Sequence, residues 1–210
     1  MTAGVLCASS NFWTLRPSDS WTAAEIKEMV TGSPWARAAT VRVPEGTAAP
    51  EIVVRWDSAA PVREACSVGG MVPHLFTCAS KLLYVSGLGQ KFEALRQEYY
   101  VIGVSNYPKP ARASGDPPEH SDAGDAMLAQ MGRRIQHSTF LKREGKAAVA
   151  PDQIVVLPAG DSLLLIVFFP RTAKLVPEDG EVRFECTDST LTVTAPFDLR
   201  EMKYRERLEL

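Results

Sequence analysis

The chain is expected to fold as a mainly β (α+β) protein: an antiparallel β-sandwich-like domain with a helical and loop excursion in its middle and a short N-terminal helix. Three observations point there. Residues 151–210 read as a nearly unbroken series of short strands. Within them Val182, Phe184 and Cys186 alternate with Glu181, Arg183, Glu185 and Thr187, the period of a strand with one buried and one wet face. The longest apolar run, from Leu163 to Phe169, is β-branched and aromatic in part and stops at Pro170, as a buried strand does.

The first ten residues (MTAGVLCASS) are small and apolar, lack a positive segment, and resemble the back half of a secretory signal peptide. They are set apart as a signal-peptide remnant, with a cytosolic tail as the alternative. Residues 11–36 form an arm and a short helix. Residues 11–21 are polar, aromatic and proline-containing, so an extended segment is expected. Thr22 and Glu25 then make a capping box, followed at helical spacing by Ile26, Met29 and Val30, with Gly32 as the stop. A helix of about nine residues does not persist alone in water. It must dock, and Trp13, Trp21 and Trp35 around it offer either an anchor on the chain's own core or a protein-binding aromatic patch.

Residues 37–210 are read as one β-rich domain, with an insertion at about 58–135. Strands are expected at 38–43 and 51–57 as a first hairpin, then a helix at 58–68 ended by Gly69-Gly70. Two further strands, 82–86 and 99–105, flank a helical 90–97. Residues 109–125 combine proline, glycine and charge without periodicity, the composition of an exposed loop. A helix over 126–135 places Met127, Met131 and Ile135 on one face, with Gly132 weakening it. Strands follow at 138–142, 153–157, 163–169, 182–186 and 191–195, and residues 202–210 are expected to pair as an edge strand.

Composition narrows function more by exclusion than by assignment. A formal net charge of −2 over 210 residues, with scattered basic side chains, gives no ground for a nucleic-acid partner. The densest basic group, Arg133, Arg134, Lys142 and Arg143, is flanked by Asp122, Asp125 and Glu144 and reads as a solvated face. No apolar run approaches a transmembrane length. Four cysteines are too few for a disulfide scaffold in a chain of this length. If the protein is exported, Cys66, Cys78 and Cys186 remain, enough for one bridge whose pairing spacing does not decide.

No catalytic, cofactor-binding or metal-ligating residue is assigned, and no cofactor is expected. Gly87-Leu88-Gly89 begins like a dinucleotide-binding turn, but Phe92 stands where its third glycine would be needed. Gly103 to Tyr107 begins like a nucleophile elbow and lacks the final glycine. Cys66, His74 and Cys78 could be drawn as three zinc ligands, at a spacing matching no recurrent site. His120 falls in the expected loop, and His137 is expected as a half-buried neighbour of a strand. Asp57, Glu64, Asp161 and Glu185 read as surface or turn acids.

The expected function is a non-catalytic extracytoplasmic (periplasmic or secreted) binding or interaction module of unknown ligand, with a protein partner reached through the aromatic arm. The alternatives are a structural subunit of a protein assembly and a small hydrolase or metal-dependent enzyme.

Overall fold

The computed structural model describes residues 11–68, 78, 89–111, 117 and 121–210. Eleven strands are described there, and every pairing among them is antiparallel. The five-stranded sheet runs β1(Ala36–Ala38)-β3(Val53–Trp56)-β4(Tyr99–Pro108)-β7(Ser162–Pro170)-β6(Gln153–Ala159). The four-stranded sheet runs β2(Thr40–Arg42)-β9(Thr192–Asp198)-β8(Glu181–Thr187)-β5(Thr139–Arg143). A separate two-stranded hairpin joins β10(Lys203–Tyr204) to β11(Arg207–Leu208). The open, sandwich-like α+β architecture is the one the strand pattern predicts.

The main core lies between the sheets. Val54, Trp56, Ile102, Val104, Leu165, Val167 and Phe169 of the larger sheet share one buried cluster with Val182, Phe184, Cys186, Val193, Ala195 and Phe197 of the smaller. Edge-to-face ring pairs, Trp56 on Phe197 and Phe169 on Phe184, bridge the sheets at centroid separations of 5.8 and 6.3 Å. Strand β8 keeps its alternation because its other face is wet. Strand β7 has none because its second face is also covered: Leu164, Ile166 and Phe168 pack with Val101 and with Phe92 of helix α4 (Gly89–Glu98). A strand buried on both sides reads as a continuous apolar run.

Two strand expectations need correction. Residues 38–43 and 51–57 do not form one hairpin. Ala36–Ala38 pairs with β3, but after Ala39 the chain crosses to the other sheet, where Thr40, Val41 and Arg42 oppose Thr194, Val193 and Thr192 of β9. The C-terminal segment is not an edge strand of either sheet, because it folds back on itself as β10–β11. The strand expected at 82–86 lies outside the described residues.

The helices start and stop as local chemistry dictates. Helix α2 (Ala23–Thr31) has its capping box: the Glu25 amide donates to Thr22 Oγ1 at 3.3 Å and the Thr22 amide to Glu25 Oε2 at 2.8 Å. Its buried Ile26, Met29 and Val30 pack toward helix α3 (Ala60–Val68) and β1. Helix α5 (Asp122–Gln136) begins four residues before the expected 126. Ser121 Oγ accepts from the Gly124 amide, and Asp122 and Asp125 suit the positive end of the helix dipole. Arg133 and Arg134 sit in its last turn, where cations are favoured. That placement accounts for half of the basic group. α5 lies on β6, and an ideal Cβ built at Gly132 would stand 2.6 Å from the Ile154 carbonyl oxygen. The glycine that lowers helix propensity is what allows this close approach.

Candidate functional site

The arm does dock on the chain's own core. Phe12 and Trp13 lie in a single-turn helix, α1 (Phe12–Leu15), and are buried together with Trp21 and Trp35. Phe12 meets Trp13 and Trp21 edge-to-face at 5.0 and 5.2 Å, and Trp13 meets Trp35 at 5.7 Å. The Trp35 indole N–H donates to the Glu209 carbonyl at 2.7 Å, tying the arm to the C-terminus. The tryptophans are therefore not a surface patch, and a partner reached through the arm cannot rest on them. The outward-facing apolar group of the arm is Leu15, which is 74% exposed.

This packing leaves a cleft of about 580 Å³ beside the arm. One wall is the arm itself, with Asn11, Trp13 and Thr14. A second comes from the end of α2 and the entry to β1, with Glu28, Ser33 and Arg37. The turn after β9 and the β10–β11 hairpin close it with Arg200, Glu201, Lys203 and Glu206. Several of these groups are already held. Ser33 donates to the Met29 carbonyl at 2.7 Å and accepts from the Trp35 amide at 3.2 Å. Arg37 Nη2 meets Glu201 Oε2 at 3.1 Å, closing an ion pair between β1 and the turn after β9.

Arg200 grips Asp198 in a fork, Nε to Oδ1 at 2.8 Å and Nη2 to Oδ2 at 2.5 Å. These hydrogen bonds raise the guanidinium's pKa and hold the Asp198 carboxyl below its ordinary range. Glu28, Lys203 and Glu206 make no ion pair among the described residues. The hairpin turn places two consecutive non-glycine residues in the left-handed region, Arg205 at φ 50° and Glu206 at φ 62°. Such residues are uncommon there and persist when their surroundings hold them. Arg205 stacks over the Tyr204 ring at 4.9 Å and faces Glu64 at 3.6 Å, while the Tyr204 hydroxyl donates to Glu64 at 2.7 Å.

The groups weighed from sequence fall elsewhere. Cys66 and Cys78 are joined in a disulfide with Cα atoms 6.1 Å apart, which consumes the two thiolates the zinc set would need. Cys186 is free and buried between the sheets, and burial pushes its thiol up to about 11. His74 and His120 lie outside the described residues. His137 is exposed at the C-cap of α5, not half-buried. Gly103 and Ser105 sit inside β4, which runs on through a bulge at Ser105 and Asn106, so no strand-to-helix elbow exists there.

Asp57 is a further correction, since it is 2% exposed and bound to the equally buried Arg55, Nε to Oδ1 at 2.5 Å. A Cβ at Gly103 would fall 2.3 Å from its Oδ2, so the glycine makes room for the carboxylate. Near the β8–β9 turn, Asp188 accepts from the Tyr107 hydroxyl and from the Thr190 and Leu191 amides. Burial pushes the Asp188 carboxyl up, yet these donors outweigh it and hold it below the usual range. Burial also drives the Tyr107 hydroxyl far above its ordinary value, so it stays a donor.

The cleft leaves no local signal in the sequence, because its walls come from residues 11–37 and 200–206. No protein-family model matches the chain, and neither a curated protein nor a solved structure matches it.

Proposed function

We propose that the protein is a non-catalytic extracytoplasmic binding module whose ligand occupies the cleft beside the arm. The observation that carries the reading is the cleft itself, a polar recess of the size of small-molecule sites, walled by an arm whose aromatic rings are used to fix it in place. The Cys66–Cys78 disulfide supports an oxidising compartment, where such bonds persist.

The binding reading is tested with a Thr14→Cys variant in a Cys7→Ser background, carrying an environment-sensitive dye. Titrated with soluble and envelope fractions of the cells that make the protein, it should respond saturably, and Glu206→Arg should abolish the response. A dye at Ser189, outside the cleft, should stay silent. No response at Thr14, or equal responses at both positions, would refute the reading. Compartment is tested by alkylating thiols in intact cells: Cys66 and Cys78 should be protected until reductant is added, and free thiols at both would sink the extracytoplasmic assignment.

A second reading, a protein partner or assembly subunit gripped through the arm, is favoured by the exposure of Leu15. It predicts oligomers at high concentration that Leu15→Asp dissolves. A monomer by light scattering at all concentrations counts against self-assembly.

A further inference from the structure

The balance of charge in the arm cleft points to a class of ligand, an inference that rests on the binding-module reading above. Six ionic side chains line it, three cations (Arg37, Arg200, Lys203) and three carboxylates (Glu28, Glu201, Glu206). Arg37 and Glu201 neutralise each other, and Arg200 is matched by Asp198 outside the lining. Two acids and one lysine are left without an ion pair among the described residues. A polyanion would face Glu28 and Glu206, while a polycation would face Lys203. Neither ionic ligand finds a wall of one sign, which is what strong ionic recognition uses.

An apolar ligand fares no better. Placing it there would strip water from these charges without replacing their hydrogen bonds, and that is costly. What the walls do offer is mixed hydrogen bonding in a small space: carboxylate acceptors at Glu28 and Glu206, an ammonium donor at Lys203, and the Asn11 amide, which supplies both. A ligand with many hydroxyls is donor and acceptor at every position, so it can satisfy both kinds of wall without carrying charge. We propose that the cleft beside the arm binds a neutral oligosaccharide, using Glu28, Glu206, Lys203 and Asn11 as its hydrogen-bonding contacts.

The test uses the full chain with hexasaccharides of β-1,4-glucose, β-1,4-N-acetylglucosamine and α-1,4-glucose. Heparin hexasaccharide and a neutral hexapeptide serve as comparators, and binding is read by calorimetry and tryptophan emission. At least one neutral saccharide should bind saturably, with an affinity that changes less than about twofold when salt is raised tenfold, because no counterions are released. Glu28→Ala and Glu206→Ala, each at an exposed or partly exposed position without an ion pair among the described residues, should each weaken it at least about tenfold by removing a charged acceptor. Their melting temperatures report that the fold is intact.

Binding of heparin alone, binding of the peptide alone, no saccharide binding at millimolar concentration, or unchanged affinity in both variants would each overturn the proposal. If the Thr14 dye still responds to envelope fractions while the neutral saccharides fail, the ligand class falls and the binding-module reading stands. If both are silent, both fall.

Discussion

Replacing Gly132 by alanine sets two effects of opposite sign against each other. In an isolated helix the change would stabilise α5 by about 1 kcal/mol, because glycine is the worse helix former. In the folded protein the new methyl would stand 2.6 Å from the Ile154 carbonyl oxygen of β6, where ordinary contact begins at 3.4 Å. The shortfall of about 0.8 Å falls on a backbone atom, which has no rotamer to turn away. α5 must therefore lift from β6, loosening the contacts that bury Leu128, Met131 and Ile135. Overpacking of this kind typically costs about 1–3 kcal/mol. Set against the propensity gain, the net should be a loss of up to about 2 kcal/mol. In a chain of this size that lowers the melting temperature by up to about 8 °C. Thermal unfolding followed by circular dichroism reads it, with Gln130→Ala on the exposed side of the same helix as a control for propensity alone. An alanine at 132 that melts at or above the wild-type temperature would refute the argument that backbone proximity selects this glycine.

The disulfide should stabilise the chain by restricting its unfolded state. Cys66 and Cys78 are 12 positions apart in sequence, and replacing both by serine should cost about 3 kcal/mol. A melting temperature unchanged by the double substitution would show that the bridge does not stabilise the chain through its unfolded state. Asp188 gives a pH dependence of known sign. Its carboxyl is depressed in the folded state, so its contribution is present above the ordinary carboxylate range and is lost as pH falls through the lower folded value. Asp188→Asn should therefore flatten the loss of stability below about pH 4, and parallel wild-type and variant profiles would contradict this. Cys186 is buried with its thiol pushed up to about 11, so in a Cys7→Ser background it should be inert to Ellman's reagent until the protein unfolds. Rapid reaction of the native protein would show that the Cys186 face of β8 is not sealed against the other sheet.

Most of the fold was legible where one residue's environment is set by its neighbours in sequence. The alternation in β8, the apolar run of β7 and the capping box before α2 each follow from local periodicity or local hydrogen bonding. Reading failed where the deciding partner is distant. Nothing in residues 38–43 signals that Ala38 and Thr40 belong to different sheets, because each strand is three residues long and the switch is set by β3 and β9. Asp57 looked like a surface acid although its partner Arg55 is only two residues away, because the buried space left for it by Gly103 appears only after β3 lies against β4. The sequence left a partner-facing patch as the alternative to docking for the arm's tryptophans. Only the long-range bond from Trp35 to Glu209 and the ring contacts around Phe12 show that they face inward.

The cleft shares this dependence on distance, and that has a thermodynamic consequence. Its arm wall is held through Trp35 to Glu209, whose own carboxylate accepts from the Ala60 amide at the start of α3. Its opposite wall is held through Tyr204 and Arg205 to Glu64 of the same helix. Both walls are thus referred to α3, one through the C-terminal residues and one through the hairpin. Disturbing either tether moves a wall without touching the lining. A ligand that spans the walls is coupled to global folding, and at a hundredfold excess over its Kd it should stabilise the protein by about 2.7 kcal/mol. Glu64→Gln keeps the helix but weakens the second tether. It should reduce both the affinity of a cleft ligand and the ligand-induced rise in melting temperature, while an equal ligand-induced rise in wild type and variant would mean that the hairpin does not form part of the site.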